Sequence, residues 1–371
     1  MRIAHVTDYY LPRLGGIEMQ VHDLASRQLD AGHDVTVITS TPGDRDERDG
    51  PPVRRATEGL PFPAALHPAA PWAGRRLVRD GKYDVLHVHA GPFSPLSFAG
   101  LALAAELPTV VTVHSLISYM EPAFRLLDGV SRWSALPAVW TAVSDAAAEP
   151  VRRLVGPKPV FVLPNGIDAA RWQVEPAPRE PGEVLVVAVM RLARRKRPLQ
   201  LVRMLRRAHD LLAPRVRLRA VIAGDGPERR SVERHLRRHG MGWVSLPGRV
   251  DRAHIRDLFR RADLFVAPAM LESFGIAALE ARCAGVPVVA RAEGGIREFV
   301  GHGEEGLLVD SDDAMVEAIV RLAADADLRA RVAARSRTVP PPVTWPDVLA
   351  LTEDMYGRAA ARLHGRAERS A

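Results

Sequence analysis

Two basic side chains five positions apart could hold phosphate. Arg191 and Lys196 lie in the segment MRLARRKRP, which follows an apolar run ending at Val189. A guanidinium presents a fork of hydrogen-bond donors and an ammonium presents a compact charge, so the pair can neutralise phosphate oxygens. Exposed arginines are common in this chain, but lysine occurs only at positions 82, 158 and 196. The presence of Lys196 favours a phosphate-binding role over a solvated surface.

Two glutamates in the segment LESFGIAALEARCAGVPVVA could hold hydroxyl groups. Glu272 follows the apolar run LFVAP, and the residues 273–275 fit the opening of a helix. On that helix Glu280 lies about 12 Å farther along, at a rise of ~1.5 Å per residue. A helix amino terminus favours an anion, and carboxylates accept hydrogen bonds from sugar and ribose hydroxyls. The alternative is a capping serine with two solvated glutamates, but the apolar surroundings of Glu280 indicate a paired or functional carboxylate.

Glycines mark a second place where a backbone could approach phosphate. Gly15 and Gly16 follow the first apolar run and precede an amphipathic helix, whose amino end would add its partial charge. The other glycine loop, AGDGPERR, has Arg229 where a dinucleotide-binding G-x-G-x-x-G pattern requires its last glycine. This departure is evidence against NAD binding.

The histidines and the single cysteine give weaker signals. His87 and His89 alternate on a predicted strand and share a face, but two ligands without a nearby carboxylate or third histidine do not make a zinc site. His114 falls at the carboxyl end of a predicted strand, where it is either a site residue or a satisfied core histidine. Cys283 lies in an apolar run and is predicted to be a buried structural thiol. We therefore predict no metal and no internal disulfide.

Alternating strands and helices must position these residues. Strand-like apolar runs recur through both halves of the chain with helical patterns between them, which is typical of doubly wound parallel sheets. The predicted strands are 3–6, 35–39, 85–88, 109–113, 140–143, 160–162, 184–189, 218–223, 244–246, 264–267, 287–290 and 307–309. Ligands bind beyond the carboxyl ends of such strands, so two Rossmann-like halves predict a site in a cleft between domains.

The domain boundaries follow from a break in this alternation. The segment QVEPAPREPG at 173–182 has three prolines and no periodicity, so it is the predicted linker. We assign 1–175 to an N-terminal domain and 176–345 to a C-terminal domain. A final helix over about 346–371, after the prolines at 340–342, is predicted to cross back to the first domain.

Composition and charge limit the possible functions. The chain has 371 residues, 47% hydrophobic and 26% charged, and a net charge of +7. Residues 1–180 hold 18 Lys and Arg against 20 Asp and Glu, and residues 181–371 hold 33 against 24. The excess therefore lies in the second half, at helix-like spacing and without a nucleic-acid-binding module. In the first half, a local cluster at 75, 76, 79 and 82 leaves peripheral membrane contact open.

The amino terminus and the apolar runs bear on location. MRIAHVTDYY shows strand-like alternation and no apolar core followed by a small-residue cleavage site, so a secretory signal is not predicted. The apolar runs are far shorter than the ~20 residues that span a bilayer. We expect a cytoplasmic protein, with attachment to the inner face of the membrane left open.

In their order along the chain, these motifs resemble glycosyltransferase family 4. The resemblance covers nearly the whole chain, with Glu-x7-Glu as its most specific part, and TWPDVLALTEDMY at 344–356 is similar to the family's Trp-bearing crossover. The residues and motifs that carry it are Gly15-Gly16, His114, AVSD at 142–145, PNGID at 164–168, Arg191, Lys196, AGDGP at 223–227, Glu272 and Glu280.

The resemblance implies an α/β GT-B fold and a retaining enzyme that moves a hexose-type sugar from a nucleotide diphosphate to an acceptor hydroxyl. The donor, UDP- or GDP-linked, would bind the second domain, and the acceptor, a glycoside, lipid or small metabolite, mainly the first. No cofactor, metal or nucleic acid is implied. The implied catalytic residues are His114, Arg191, Lys196 and Glu272, and the implied donor-binding residues are Gly15, Gly16, Arg249, Val250, Ser273, Phe274, Gly275 and Glu280.

Individual roles follow from the same resemblance. Arg191 and Lys196 would hold the diphosphate, Glu272 the transferred sugar and Glu280 the ribose. Gly16 would approach the phosphates when the domains close, His114 would lie beside the sugar, and residues 249 and 250 would line the base.

Two departures and two rival functions stay open. The family commonly has glycine where this chain has Met190, and a Lys-Gly pair where it has Lys196 and Arg197, so the phosphate loop could differ in shape. A nucleotide-sugar epimerase or hydrolase of the same fold is one alternative. A non-catalytic nucleotide-sugar binding protein is the other, although the complete set of basic and acidic site residues argues against it.

Overall fold

The computed structural model describes residues 1–13, 15–43, 50–59, 67–178, 180 and 182–370. It divides into two compact units, Met1–Gly166 with Trp345–Ala371, and Ile167–Thr344. The predicted boundary at 175/176 therefore falls inside the second unit. Ile167 donates its N–H to Val343 O at 3.0 Å, and Ala177 donates to Arg260 O at 2.8 Å. The Ala177 bond ties the segment predicted as a linker to the second unit. Residues 179 and 181 of that segment lie outside the described part of the chain.

The first unit contains a seven-stranded sheet in the order β3-β2-β1-β4-β5-β6-β7, with every neighbouring pair parallel. Its strands, numbered along the chain, are β1 (Arg2–Thr7), β2 (Asp34–Thr39), β3 (Val53–Arg55), β4 (Val85–Ala90), β5 (Thr109–Val113), β6 (Val139–Ala142) and β7 (Val160–Val162). Its helices are α1 (Gly16–Asp30), α2 (Ala70–Gly81), α3 (Pro95–Leu101), α4 (Glu121–Ser131), α5 (Asp145–Val155) and, from the end of the chain, α13 (Trp345–Ser370).

The terminal helix α13 belongs to the first unit, as predicted. Its residues Met355, Tyr356 and Ala359 are buried in one core cluster with the strand residues Ile3 and Val110. Trp345, at the start of the helix, packs with Leu24 and Leu163 in a second cluster. Burial of each large apolar side chain contributes roughly 1.5–3 kcal/mol, so these contacts hold the helix against the sheet.

The second unit contains a six-stranded parallel sheet in the order β10-β9-β8-β11-β12-β13. Its strands are β8 (Glu183–Val189), β9 (Arg217–Ala223), β10 (Val244–Gly248), β11 (Leu264–Ala267), β12 (Val288–Arg291) and β13 (Gly306–Val309). Its helices are α6 (Ala169–Trp172), α7 (Pro198–Leu212), α8 (Arg229–Arg238), α9 (Arg252–Arg261), α10 (Ile276–Cys283), α11 (Asp312–Ala324) and α12 (Ala326–Thr338).

The sequence predicted this alternation closely. Each of the twelve predicted strands is present, with ends shifted by two residues or fewer. The strand that was not predicted, β3, has the sequence VRR and none of its residues is buried. An edge strand of this kind lacks the apolar pattern on which the predictions depend.

Candidate functional site

The second sheet has a topological switch point at its centre. From β8 the chain proceeds to β9 and β10 on one side, and then returns to β11, β12 and β13 on the other. Loops leaving the carboxyl ends of β8 and β11 therefore diverge, and such a crevice is where parallel α/β sheets bind ligands. The predicted phosphate loop follows β8, and Glu272 follows β11.

An ion pair joins the two loops at this switch point. The Lys196 Nζ atom donates to Oε2 of Glu272 at 2.6 Å. The two side chains are 26% and 14% exposed, so the pair is partly screened from water but open to a ligand. An ammonium has three donors and a carboxylate accepts at both oxygens, so neither group is used up by this bond. The structure thus places side by side the two residues predicted to bind phosphate and sugar.

Arg191 lies at the start of the loop that leaves β8. Its side chain is exposed, and no carboxylate of the described residues forms an ion pair with it. Arg194 and Arg195, in the turn that leads to Lys196, are exposed as well. The second predicted phosphate ligand is therefore available to an anion, while Lys196 is held in position by Glu272.

The next residue, Arg197, explains one departure from the family pattern. Its backbone is left-handed, with φ of 58°, a conformation that favours glycine. The guanidinium donates two bonds to Asp312, at 2.8 and 2.7 Å, and a third to Pro268 O at 3.2 Å. The Arg197 bonds lower the pKa of the Asp312 carboxyl. These contacts offset the roughly 1 kcal/mol or more that a side chain costs in this backbone region.

Glycines bring the loop at 190–192 against the loop at 224–226. A Cβ atom on Gly224 would overlap the carbonyl oxygen of Met190, and one on Gly226 would lie 2.5 Å from that of Leu192. Met190 is itself partly buried and packs against the core cluster of the second unit. The core thus accommodates the side chain of Met190, the other departure from the family pattern. The two glycines opposite it fix the path of the backbone.

The helix α10 opens beside Glu272. Gly275 caps it with φ of +95°, and a Cβ atom there would lie 2.5 Å from Ile296. The Glu272 carbonyl accepts a bond from the Gly295 N–H at 2.9 Å, which fixes the backbone before the helix. Predicted site residues are therefore carried by a tightly packed turn at a helix amino terminus, a suitable place for an anion.

The remaining members of this segment differ in exposure. Glu280 is 7% exposed on the buried face of α10, together with Cys283, whose pKa burial raises to about 12. Phe274 is 2% exposed and its ring packs on Phe299 at 5.3 Å. Phe274 can therefore face a ligand only through its backbone, whereas Ser273 is half-buried.

Arg249 and Val250 follow the carboxyl end of β10. That strand is two positions from β8, which is about 10 Å at the usual strand spacing. Arg249 is exposed and Val250 is half-buried. Both therefore follow the carboxyl edge of the second sheet, but among the described residues no hydrogen bond or ion pair joins them to Lys196 or Glu272.

In the first unit, the predicted glycine pair lies at the start of α1. The helix begins at Gly16, with Gly15 as its extended N-cap. A side chain on Gly15 would collide with the carboxylate of Glu18, which is 5% exposed and forms an ion pair with Arg13 at 3.0 Å. An acidic group thus already lies near this helix amino terminus, and sequence reasoning did not identify it.

His114 lies in a buried row of histidines. Its Nε2 is 2.9 Å from Nδ1 of His89, and Nε2 of His89 is 2.9 Å from Nδ1 of His5. Burial lowers the pKa of His5 and of His114 to about 4, and it lowers those of His87 and His89 well below the usual value. All four rings are therefore neutral at pH 7.

The row corrects one premise of the sequence analysis. A third histidine, His5, does join His87 and His89, with one nitrogen of each ring within 4.8 Å of the others. Every ring nitrogen of these three residues is, however, hydrogen-bonded to another protein group. The register of the sheet pairs His5 with His87, and knowledge of the strand order could have revealed the cluster.

The basic cluster on α2 is partly neutralised. Arg79 donates to Glu106 at 2.7 and 3.2 Å, Arg76 lies 3.6 Å from Asp80, and Arg75 donates to a backbone carbonyl. Within the described residues, no helix is long and apolar enough to cross a membrane. Contact with a membrane surface stays a prediction.

Both halves of the chain match models of known protein families. The model described as Glycosyltransferase Family 4 matches residues 14–171, and the model described as Glycosyl transferases group 1 matches residues 171–339. The phosphatidyl-myo-inositol mannosyltransferase of Mycolicibacterium smegmatis is 32% identical over 354 residues, which cover 91% of this chain and 88% of that protein. The glycogen synthase of Mycobacterium tuberculosis is 29% identical over 403 residues, covering 96% and 94%.

Solved structures show the same architecture. Sucrose-phosphate synthase from Thermosynechococcus elongatus superimposes with a TM-score of 0.76 at 21% identity, covering 97% of this chain and 99% of that one. HepE from Anabaena, in complex with UDP and glucose, has a TM-score of 0.70 at 20% identity, covering 100% and 99%. With two parallel α/β sheets and family matches along both halves, the chain belongs to glycosyltransferase family 4 and has the GT-B fold.

Proposed function

We propose that this glycosyltransferase transfers a sugar, with retention of anomeric configuration, from a nucleotide diphosphate to an acceptor hydroxyl. The observation that carries the proposal is the Lys196–Glu272 pair at the switch point of the second sheet. It sets a cation for phosphate beside a carboxylate for sugar hydroxyls. Exposed Arg191 and the amino terminus of α10 supply further positive charge.

The reaction exchanges one C–O bond for another and transfers one proton. The acceptor oxygen bonds to the anomeric carbon on the face from which the diphosphate departs, and the bond between that carbon and the phosphate oxygen breaks. The acceptor proton passes to an oxygen of the leaving diphosphate. Arg191 and Lys196 offset the negative charge that develops on the leaving group, which is where preorganised donors stabilise a transition state most.

The ion pair gives Glu272 two tasks. One carboxylate oxygen holds Lys196, which loses little conformational entropy when phosphate arrives because its position is already set. The other oxygen accepts a bond from a hydroxyl of the transferred sugar. Removal of the glutamate would therefore misplace Lys196 as well as weaken sugar binding.

UDP- and GDP-sugars remain the first donors to test. HepE from Anabaena, which has the same fold, was solved with UDP and with UDP-glucose. The relatives are named as different enzymes, among them a glycogen synthase and a phosphatidyl-myo-inositol mannosyltransferase. We therefore propose an acceptor hydroxyl without assigning the molecule that carries it. The absence of a metal requirement also stays a proposal, supported by the cations Arg191 and Lys196.

The test is to screen nucleotide sugars by thermal shift, and then to compare Lys196→Ala with Arg195→Ala in transfer assays. Both substitutions remove one positive charge from the same turn, but Glu272 positions only Lys196 of the two. We expect Lys196→Ala to lose about a hundredfold in kcat/KM, or roughly 3 kcal/mol, as for one preorganised electrostatic donor. Arg195→Ala should stay within about threefold of wild type.

Three results would contradict the proposal. Equal turnover of the two variants would show that Lys196 has no special role in the reaction. Rapid epimerisation or hydrolysis of the donor without acceptor would favour one of the rival reactions of the same fold. Inversion of configuration in the product, observed by NMR of the anomeric proton, would exclude retention.

A further inference from the structure

Four charged side chains of alternating sign connect three loops at the carboxyl ends of strands in the second unit. Arg197, in the loop that leaves β8, donates two hydrogen bonds to Asp312 at the start of α11, at 2.8 and 2.7 Å. Asp312 also lies 3.6 Å from Nη1 of Arg291, the last residue of β12. Arg291 in turn donates to both carboxylate oxygens of Glu293, at 2.8 and 3.2 Å. We call these four residues the charge network.

Burial makes this network firmer than an ion pair on the surface. The side chain of Arg291 is 5% exposed and that of Arg197 is 17% exposed, and Arg291 also donates to Asp310 O. The bonds from Arg197 lower the pKa of Asp312, and those from Arg291 lower the pKa of Glu293. All four groups are therefore charged at neutral pH, and two-pronged bonds between guanidinium and carboxylate are stronger than bonds between neutral groups.

Arg197 lies where the loop turns into α7. It ends the short helical turn Arg194–Lys196 and precedes Pro198, the first residue of α7. Its φ of 58° and ψ of 41° are those of a left-handed backbone, in which a residue other than glycine is strained. Because Lys196 comes directly before this residue, relaxation of the backbone at Arg197 would move Lys196.

The same guanidinium bonds to the loop that carries Glu272. Arg197 Nη1 donates to Pro268 O at 3.2 Å, directly after the end of β11. Glu272 lies four residues farther along that loop and accepts the bond from Lys196. Arg197 thus connects the charge network to both members of the ion pair, to Lys196 through its own backbone and to Glu272 through Pro268.

We propose that Asp312 is a positioning residue for Lys196, and that the charge network takes the place of a glycine at position 197. The bonds to Asp312 hold Arg197 in a backbone conformation that glycine would adopt without help. Arg291, buried and held by Glu293, fixes Asp312 in turn. This inference rests on the proposed function, in which Lys196 binds the diphosphate. Asp312 acts through Arg197 and not on the ligand.

Rescue by glycine tests this role. Asp312→Ala should lower kcat/KM for the donor about tenfold, because Arg197 stays strained but loses its support. In the double variant Arg197→Gly/Asp312→Ala the support is no longer needed, so kcat/KM should lie within about threefold of Arg197→Gly alone. Arg197→Lys keeps the charge but cannot make the two-pronged bond, so it should be less active than Arg197→Gly.

Asp313 provides a matched control. It follows Asp312 in the first turn of α11 and accepts a bond from an arginine, Arg207, at 2.6 Å. Arg207 lies within α7 and not in the loop that carries Lys196. Asp313→Ala therefore removes the same charge from the same helix end, but it should leave kcat/KM within about twofold of wild type.

Hydrogen exchange on the free protein separates the network from the reaction. In Asp312→Ala, peptides that cover 192–198 should exchange about tenfold faster than in wild type, because the bonds from Lys196 N and Arg197 N to the preceding turn open more often. Asp313→Ala should match wild type in these peptides, and the double variant should match Arg197→Gly. If wild type binds neither UDP nor GDP, the proposed function fails, while the exchange rates still show whether Asp312 holds the loop.

Three results would overturn the inference. Equal kcat/KM and equal exchange in Asp312→Ala and Asp313→Ala would show that Asp312 does not position the loop. A double variant as impaired as Asp312→Ala would show that Asp312 does not act through Arg197. An Arg197→Gly variant less active than Arg197→Lys would show that the network does not stand in for glycine, and this comparison decides by itself if Asp312→Ala does not fold.

Discussion

Acidification should destabilise the first unit, because four buried histidines are neutral in the folded protein. Burial lowers the pKa of His5 and of His114 to about 4, against a usual value near 6.5. Between these two values the histidines bind protons in the unfolded chain but not in the folded one. Their contribution to the free energy of unfolding is therefore fully retained above about pH 7 and is lost as the pH falls toward 4.

The size of the effect follows from the two pKa values. At pH 5 each of these histidines should cost about 2 kcal/mol relative to pH 7.5, or about 4 kcal/mol together. His87 and His89, whose pKa burial lowers further, add to the loss with the same sign. Asp8, whose pKa burial raises, acts in the opposite direction as a single group. Against a typical domain stability of about 5–15 kcal/mol, this change should be easy to measure.

Urea unfolding at pH 7.5, 6 and 5, read by pulsed hydrogen exchange and mass spectrometry, separates the two units. A loss of about 4 kcal/mol lowers the midpoint of the first unit by about 2 M, for a urea dependence near 2 kcal/mol per M. The second unit is the internal control because none of its histidines is buried; desolvation and neighbouring positive charges lower the pKa of His235 and His239, so its midpoint should fall less than that of the first unit. Equal shifts of the two midpoints, or no shift in peptides from β1, β4 and β5, would refute the assignment of neutral buried rings.

Three further predictions concern the second unit. Gly224→Ala should destabilise it by about 3 kcal/mol or more, since the new methyl group overlaps a backbone carbonyl, whereas Gly303→Ala, left-handed but in open space, should cost about 1 kcal/mol in chemical denaturation. Glu305→Ala should cost about 3 kcal/mol because it strands the guanidinium of Arg282, which is 3% exposed. Cys283, with its pKa raised to about 12, should not react with a thiol reagent at pH 8 unless urea is added.

The sequence could place Arg191, Lys196 and Glu272 in loops that follow strands because the signals for those loops are local. Glu272 and the opening of α10 lie within a few residues of each other, and the run MRLARRKRP follows an apolar strand directly. Strand order could not be derived from such runs. Only the sheet shows that β8 and β11 are neighbours and that Lys196 therefore reaches Glu272.

The buried row of histidines in the first unit shows most clearly what local sequence patterns cannot predict. His87 and His89 were recognised as sharing a face, but His5, Gln28 and Tyr356 come from the start and the end of the chain. Their meeting depends on parallel pairing of β1 with β4 and on the return of α13 to the first unit. Periodicity reports which face a side chain takes, not which strand lies beside it.

Arg197 shows both what the local sequence predicts and what only a long-range contact explains. Its difference from the family's glycine raised doubt about the shape of the phosphate loop, and a left-handed φ of 58° shows why glycine suits that position. The guanidinium, however, bonds twice to Asp312 at the start of α11, more than a hundred residues later. A backbone that glycine would adopt freely is here held by a side-chain contact, so the loop can present Lys196 to Glu272 without the family residue. Loss of Asp312 should therefore disturb the Lys196–Glu272 pair more than loss of any exposed carboxylate on α11.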